Sequence, residues 1–311
     1  MKDFAPHYYD RFHCISSECR HNCCIGWEVD IDHETLKKYK ETGGSLGEKI
    51  RESISEEDGV SFFAMKENGR CPFLCENNLC EIIKNLGEEN LCEICREHPR
   101  FYNFFSERTE WGLGLCCEEA ARIILSDCEP FSLTLRFDDG AGGEEDSFGE
   151  YIIFIRDECI KIIEESGVPL SKKLETMLSF CEAEKPSFSG DELYTLLTSL
   201  EKLEESRDEK LEKLRGADDF SVIDDKRYAL WFENLTKYFI YRHISGAYLD
   251  MRISERACFV YLSVVASAML CQKISEEKGT LSLDDVADIS RAFSAETEYS
   301  EENTESILAY F

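Results

Sequence analysis

Two cysteine-rich stretches decide the fold of the first part of the chain: CISSECRHNCCIGW at residues 14–27 and CPFLCENNLCEIIKNLGEENLCEICREHPRF at residues 71–101. Their cysteines are spaced C-x4-C-x3-C-C, then C-x3-C-x4-C and C-x2-C, and a second adjacent pair follows at Cys116 and Cys117. Short spacings place two thiols on one turn of backbone, which is how proteins present thiolates to a metal ion. We therefore interpret the clustered cysteines as metal ligands.

The number of cysteines supports the same interpretation. The chain has 16 cysteines in 311 residues, and twelve of them precede residue 130. The first residues, MKDFAPHYYDRFHC, lack the basic-then-apolar pattern of a signal peptide, so we expect a cytoplasmic protein. Because thiols stay reduced there, clustered cysteines indicate metal or redox chemistry and not a disulfide framework. The single cysteines on helical patterns are expected to pack as small apolar side chains: Cys128, Cys159, Cys181, Cys258 and Cys271.

The charge and the apolar pattern exclude two kinds of partner. The formal net charge is −29 at pH 7, so phosphate would meet a repelling field and we expect no nucleic-acid partner. The excess of acidic residues serves solubility or attracts a basic partner. The most apolar run, CFVYLSVVASAMLC at residues 258–271, is too short to cross a bilayer, so we expect a buried helix and no membrane span.

The pattern along the chain predicts a mainly α protein with three parts. Residues 1–137 form an irregular cysteine-rich module, residues 138–149 an acidic glycine-rich linker, and residues 150–311 an all-α helical domain. Periodicity and end signals predict these local elements: a helix capped by Asp30 or Asp32 and stopped at Gly43-Gly44, a strand near residues 60–65, short helices at 81–86 and 91–96, a helix from Glu118, and a long helical pattern at 191–214.

The spacings alone leave both zinc and an iron–sulfur cluster open. The regular C-x2-4-C pairs of zinc sites and the C-x2-C-x2-C run of bacterial ferredoxins are both missing. Adjacent side chains diverge, so Cys23-Cys24 and Cys116-Cys117 each suit two irons or two sites, which slightly favours a cluster. His21 and His98 lie close to cysteines and could bind a metal, but we interpret them as structural.

These motifs resemble one known family. The two quoted stretches, YYDRFHC at residues 8–14 and LCCEEAARIIL at residues 115–125 are similar in order and spacing to the flagellin lysine-N-methylases. That family has a CxxCxxCC-type cysteine-rich module described as zinc- or iron-chelating. The resemblance covers residues 4–126 by motif, and Cys75, Cys92 and Cys116 are additional to the family pattern. Carried over position by position, it implies these metal ligands: Cys14, Cys19, Cys23, Cys24, Cys71, Cys80, Cys95 and Cys117.

The resemblance also implies a function. It points to an enzyme that transfers methyl groups from S-adenosylmethionine to lysine ε-amines of flagellin, with a [4Fe–4S] cluster or, alternatively, zinc. The sequence predicts neither the S-adenosylmethionine site nor the catalytic base. For the first, Gly112-Leu113-Gly114 lacks the strand–turn–helix context of a nucleotide site. The aromatic run at residues 101–105 is a candidate wall for a methylated cation. The alternative function is a non-enzymatic zinc- or iron-binding protein or an electron-transfer module that docks a protein partner.

Overall fold

The computed structural model describes residues 1–27, 29–140, 146–204 and 207–311. By packing, the chain forms two compact units. We call Cys14–Arg100 the cysteine-rich unit, and Met1–His13 together with Phe101–Phe311 the helical unit. Helices dominate over strands, so the predicted mainly α class is confirmed.

The elements are numbered in chain order. A π-helical turn, Ile240–Ile244, joins the helices Ala229–Phe239 and Ser245–Asp250. The strands are β1 (Lys2–Pro6), β2 (Ile54–Glu57), β3 (Val60–Phe63), β4 (Arg100–Phe104), β5 (Arg108–Leu113) and β6 (Leu133–Asp138). The helices are α1 (His33–Glu41), α2 (Gly44–Glu52), α3 (Glu81–Leu86), α4 (Glu93–Glu97), α5 (Glu118–Leu125), α6 (Ser147–Glu164), α7 (Leu170–Phe180), α8 (Gly190–Ser199), α9 (Arg207–Leu211), α10 (Ala229–Phe239), α11 (Ser245–Asp250), α12 (Ile253–Lys278), α13 (Leu283–Glu298) and α14 (Glu301–Leu308).

Helix α12 is the centre of the helical unit. Every residue from Ala257 to Cys271 is buried, because the helix is apolar all round and is enclosed by its neighbours. By length and composition α12 could cross a membrane, yet 83% of its most apolar 18-residue window is buried inside this unit. The predicted buried helix at residues 258–271 is therefore confirmed.

A four-stranded sheet in the order β4-β5-β1-β6 packs beside these helices. Strand β1 runs parallel to β5 and antiparallel to β6. On β5, Glu110 is fully buried and its carboxylate binds the buried guanidinium of Arg156 on α6. Arg108 binds the same carboxylate, and Asp157 binds Arg156 from the other side at 2.7 Å. This ion-pair network joins strand β5 of the sheet to helix α6.

The cysteine-rich unit has a small core of its own. Its hairpin pairs β2 with β3, and the tight turn places Gly59 at φ 83°, a conformation that glycine adopts without steric cost. Buried Tyr39 on α1 lies 5.7 Å from the ring of Phe63 on β3, and Phe63 lies 4.8 Å from Phe73. The hydroxyl of Tyr39 donates to the Asn90 carbonyl at 2.8 Å. An aromatic cluster therefore connects the helix, the hairpin and the second cysteine stretch.

Most of the predicted local elements are confirmed. Helix α1 begins after Asp32, α3 ends at Gly87 with φ 92°, and α5 begins at Glu118. The sequence pattern does not predict helix α2, because Gly43-Gly44 is a stop signal for α1. Gly44 does turn the chain, at φ 74°, but a new helix starts there.

The prediction of one long helix over residues 191–214 is wrong. Helix α8 ends at Ser199, and the next residues are held extended by side chains from α13 and α14. The Asn303 amide accepts from the Glu201 N–H at 2.7 Å and donates to its carbonyl at 2.9 Å, and Glu296 accepts from the Leu203 N–H at 2.9 Å. These tertiary hydrogen bonds replace the helical ones, which local periodicity cannot reveal. Residues 205–206 of the pattern lie outside the described residues.

The isolated cysteines behave as expected with one exception. Cys159, Cys181, Cys258 and Cys271 are buried in the helical unit, and the Cys159 and Cys181 sulfurs lie 3.5 Å apart. Cys128 is exposed, so its predicted packing role is wrong. It lies in a surface loop after α5, and the apolar residues of α5 do not indicate that the helix ends before Cys128.

The predicted domain boundaries, 1–137 and 150–311, stay a prediction. The predicted linker at 138–149 includes residues 141–145, which lie outside the described residues. Its last three residues, 147–149, form the first turn of α6, where the Asp146 carboxylate accepts from the Gly149 N–H at 2.8 Å.

The Glu110 network yields a stability prediction. Replacing Glu110 by alanine leaves the Arg156 guanidinium buried without its main partner, so we expect the free energy of unfolding to fall by about 3–5 kcal/mol. Denaturant unfolding followed by circular dichroism measures it. The control is Glu129→Ala at an exposed loop position, with an expected change below about 0.5 kcal/mol. Equally small decreases in the free energy of unfolding of both variants would show that the Glu110–Arg156 pair contributes no more to stability than an exposed residue.

Candidate metal centre

The pair Cys92 and Cys95 forms the best-defined knuckle of the cysteine-rich unit. Cys92 is the N-cap of α4, and Cys95 follows within the first turn, with its N–H donating to the Cys92 carbonyl at 3.1 Å. The two sulfurs lie 3.4 Å apart and share a hydrogen bond. Both thiols therefore face the same side of one helical turn, as the C-x2-C spacing predicts.

Asp32 fixes this knuckle in place. One carboxylate oxygen of Asp32 accepts from the Thr35 N–H at 2.9 Å and caps α1, and the other accepts from the Glu93 N–H at 2.9 Å and caps α4. Burial raises the pKa of Asp32, but these backbone donors outweigh it and the pKa is lower than usual. A single carboxylate thus ties the first helix to the start of the helix that carries Cys95.

A backbone ladder brings the first cysteine stretch to the second. The Cys71 N–H donates to the Cys24 carbonyl at 2.9 Å, and the Gly26 N–H donates to the Gly69 carbonyl at 2.8 Å. Between these bonds, Ile25 and Arg70 form an antiparallel bridge. Residues 24 and 71 are therefore neighbours across a short ladder, although 46 residues separate them in sequence.

A tight turn positions Cys75 and Cys80. Asn78 takes the left-handed conformation at φ 58°, as the Asn-Asn turn signal predicts, and the Cys75 N–H donates to the Leu79 carbonyl at 3.0 Å. The Arg70 guanidinium holds this turn by donating to the Cys75 carbonyl and to the Asn78 amide oxygen, both at 3.0 Å. Cys80 then takes the N-cap position of α3, where burial raises the pKa of its thiol and the backbone N–H groups of Ile83 and Ile82 oppose the rise.

The thiols of these elements lie close enough to influence one another. Burial raises the pKa of Cys71 to about 11, and the nearby Cys24, Cys80 and Cys92 add to the rise. The hydrogen bond shared with Cys95 lowers the pKa of Cys92, and the same bond, with burial and the Cys24 and Cys71 charges, raises that of Cys95. We call this set, Cys24, Cys71, Cys80, Cys92 and Cys95, the thiol cluster.

Positive charge and backbone donors offset this concentration of sulfur. A hydrogen bond with Cys23 lowers the pKa of Cys24 against the effect of burial, and the Arg70 guanidinium contributes to the lowering. The Phe73 N–H opposes the rise in the pKa of Cys71, as the first N–H groups of α3 do for Cys80. N–H donors of this kind stabilise thiolates and tune thiolate-bound metals.

The donor chemistry of the thiol cluster fits a thiophilic metal. Thiolates are the ligands of structural zinc and of iron–sulfur clusters, and two of them on one metal lie about 3.8 Å apart, close to the Cys92–Cys95 separation. Within the described residues, no three His, Cys, Asp or Glu side chains converge as a ready-made metal site. The thiol cluster therefore fits such a metal by the type and proximity of its ligands and not by a preformed geometry.

The predicted ligands fall in three places. Cys24, Cys71, Cys80 and Cys95 lie in the thiol cluster. Cys14, Cys19 and Cys23 lie in the loop before it, where Cys14 is exposed and the Cys19 thiol donates to the His21 carbonyl at 3.2 Å. Cys117 belongs to the helical unit. The ligand set as a whole stays a prediction.

Cys92 is the member of the thiol cluster that the family pattern missed. Its signal is present in the sequence, because Cys92 and Cys95 have the C-x2-C spacing that places two thiols on one turn of backbone. The predicted structural role of His98 agrees with its surroundings. Burial and the nearby Arg100 lower its pKa to about 4, and its ring lies 6.1 Å from that of Trp27.

In the helical unit, the Cys116-Cys117 pair sits on a buried polar network. Cys117 caps α5, and burial raises the pKa of Cys116, although its hydrogen bond with Tyr299 opposes the rise. The Tyr238 hydroxyl accepts from the Leu115 N–H at 3.3 Å and donates to the buried Glu298 carboxylate at 2.9 Å. The turn that carries both cysteines is thereby fixed from beneath.

The aromatic run at residues 101–105 forms strand β4, so its side chains alternate. Phe101 packs in the core of the helical unit, 6.0 Å from the ring of Tyr241, and Phe105 is also buried. Tyr102 and Phe104 are on the exposed side and stack at 6.0 Å, and Tyr102 also meets Trp111 edge-on at 6.2 Å. Only these alternate rings are placed to meet a ligand.

The double cap of Asp32 yields a prediction about the Cys92 knuckle. Asp32→Ala removes both N-cap acceptors, each worth about 1 kcal/mol, so amide exchange in the first turns of α1 and α4 should become about fivefold faster or more. Hydrogen–deuterium exchange with mass spectrometry measures both turns. Asp30→Ala is the matched control, because Asp30 is an exposed neighbour that lacks these caps. Faster exchange at α1 alone would contradict the bridging role.

Comparison with known proteins finds relatives that match part of the chain. A lysine-N-methylase of Salmonella typhimurium is 30% identical over 135 residues, which are 42% of this chain and 34% of that protein. A lysine-N-methylase of Salmonella choleraesuis is 29% identical over the same shares. The flagellar biosynthetic protein FliU of Salmonella muenchen is 29% identical over 164 residues, which are 49% of this chain and 88% of that protein.

The matched region thus spans about a third of the length of the two lysine-N-methylases. No family model matches the chain, and no solved structure matches it. Two of the three relatives carry the lysine-N-methylase name that the cysteine motifs led us to expect. They confirm the resemblance of this chain to the flagellin lysine-N-methylase family.

Proposed function

We propose that this chain is an S-adenosylmethionine-dependent protein lysine N-methyltransferase that acts on flagellin in the cytoplasm. The observation that carries the proposal is the similarity to proteins named lysine-N-methylase, in a chain with a thiol cluster. The name of FliU, a flagellar biosynthetic protein, supports a flagellar substrate. The reaction is the transfer of a methyl group to the ε-amine of a lysine side chain.

The proposed cofactor is a cysteine-bound [4Fe–4S] cluster, with zinc as the alternative. Of this chain's residues, the thiol cluster with Cys24, Cys71, Cys80, Cys92 and Cys95 would hold it. When bound, such a group supplies folding free energy to the unit and a Lewis-acidic centre. The side chain of Arg70 and the N–H groups at the start of α3 would balance the negative charge of the thiolates.

Methyl transfer makes two demands on the protein. The lysine must lose its proton, from an ordinary pKa of about 10.4, before its nitrogen can attack the methyl carbon. A carbon–nitrogen bond then forms as the carbon–sulfur bond breaks, with the electron pair left on the donor sulfur, and the reacting atoms must be in line. Apolar walls favour the neutral amine by desolvation, and aromatic faces accept the methylated cation afterwards.

Tyr102 and Phe104 suit the second of these demands. Their rings are exposed and stacked on β4, while Phe101 anchors the same strand in the core. We propose that they form the wall for the lysine side chain. The net charge of −29 on the chain would also attract the lysine ammonium before it loses its proton.

The metal proposal predicts which cysteines control metal content. Cys71→Ser and Cys92→Ser each remove a buried sulfur from the thiol cluster, so protein purified without oxygen should lose metal by about tenfold or more. Cys128→Ser, at an exposed cysteine of the helical unit, should keep the full content. Elemental analysis for iron and zinc measures all three variants, with circular dichroism as the check on folding.

The identity of the metal separates the alternatives. Iron with inorganic sulfide supports the cluster, and zinc supports the alternative of a structural metal module. Unchanged metal content in both cluster variants would refute the assignment of the thiol cluster.

The activity itself is tested with purified flagellin and S-adenosylmethionine. We expect lysines of flagellin to gain 14 Da for each methyl group, by simple replacement of a hydrogen, detected by mass spectrometry. Phe104→Ala should lower the rate about tenfold, because it removes an exposed ring from the proposed wall. Val60→Ala, at an exposed apolar residue of the hairpin in the cysteine-rich unit, is the control. A metal-loaded protein that methylates no lysine would instead support the non-enzymatic or electron-transfer function.

A further inference from the structure

Helix α6 turns three aromatic side chains to the outside of the helical unit. Phe148, Tyr151 and Phe154 follow one another at three-residue steps and are 37%, 50% and 53% exposed. The opposite side of the helix is fully packed, with Ile152 and Ile163 both at 0% exposure. The helix therefore has its apolar contacts inside already, and the outer aromatic stripe is additional to what folding needs.

The stripe continues onto the end of helix α11. The ring of Tyr248 stacks on that of Phe148 at 5.9 Å, and Tyr248 is held from beneath by the buried Phe105 at 5.0 Å. The next residue, Leu249, is 81% exposed, and Met251 is 75% exposed where it ends the helix in a left-handed conformation. We call Phe148, Tyr151, Phe154, Tyr248 and Leu249 the aromatic face. Contiguous exposed apolar surface of this kind marks interaction sites.

Acidic side chains accompany the aromatic face. Glu150 is exposed between Phe148 and Tyr151, and lies one helical turn before Phe154. Asp157 and Glu158 follow Phe154 by three and four residues, which places them on the same side, although Asp157 is paired with Arg156 and Glu158 with Lys161. The net charge of the chain is −29, so a second copy of this protein would bring like charge to the surface. A partner with lysines beside apolar side chains complements it in both respects.

We propose that the aromatic face docks a lysine-bearing, partly apolar segment of the protein substrate. This inference rests on the proposed function, because it takes flagellin as that substrate. The face acts in substrate binding at a distance from methyl transfer, so it contributes to the affinity for the whole protein and not to the reaction of a lysine in a short peptide. Aromatic side chains at the centre of such surfaces commonly carry most of the binding free energy.

The test measures binding of purified flagellin to the full chain. The double variant Tyr151→Ser/Phe154→Ser should raise the Kd for flagellin about tenfold or more. Tyr310→Ser, at a tyrosine with a matching 53% exposure elsewhere in the helical unit, should change the Kd less than twofold. Glu150→Lys should also weaken binding, and more at low than at high salt, whereas Glu301→Lys at an exposed position of α14 should not.

The outcomes separate this inference from the proposed function. Methyl transfer to a short lysine peptide should proceed equally in the wild type and the double variant, and its absence in both would count against the enzyme alone. Equal flagellin affinity of the wild type and the double variant would overturn the docking surface. So would a wild type that does not bind flagellin, or one that forms dimers that the double variant loses, which would make a second copy the occupant.

Discussion

Five thiols, two buried and three half-buried, pack in or against the small core of the cysteine-rich unit. Burial raises the pKa of Cys71, the hydrogen bond with Cys92 together with burial raises that of Cys95, and the charges of neighbouring thiolates add to both. Backbone N–H groups at the starts of α3 and α4 and the guanidinium of Arg70 lower the pKa values of neighbouring thiols and so favour their thiolate forms. A thiophilic metal would satisfy the same constraint directly, because its positive charge favours the thiolate form.

Short-range features of this unit could be predicted from sequence because each depends on a few neighbouring atoms. Asp32 as a cap, the Asn78 turn and the end of α3 at Gly87 follow from side-chain and backbone preferences within four residues. The C-x2-C spacing likewise foretold that Cys92 and Cys95 would face one another. The family pattern does not include Cys92, whereas the C-x2-C spacing does.

Features that depend on distant contacts could not be predicted in this way. The segment after α8 is extended because Asn303 and Glu296, 102 and 93 residues after the groups they bind, supply its hydrogen bonds. Likewise, nothing local indicates that Asp32 also caps α4, or that Glu110 on a strand meets Arg156 on a helix. In each case a polar side chain satisfies backbone or charge across the fold, and single-sequence periodicity carries no record of it.

Helix α6 shows how one element serves both the fold and the surface. Its inner side holds the sheet through Arg156, while its outer side presents aromatic rings among acids. In the cysteine-rich unit, by contrast, the core and the candidate site share residues, since Cys71 and Cys92 are buried in the core and are also proposed as metal ligands. Folding and metal binding are therefore expected to be coupled there.

X-ray absorption at the iron and zinc edges of protein purified without oxygen tests this account most directly. The account predicts one metal species whose nearest neighbours are sulfur atoms at about 2.3 Å. Loss of that sulfur shell in the Cys92→Ser variant would tie it to the thiol cluster. A metal surrounded only by oxygen and nitrogen, or a fully folded protein without metal, would contradict the account.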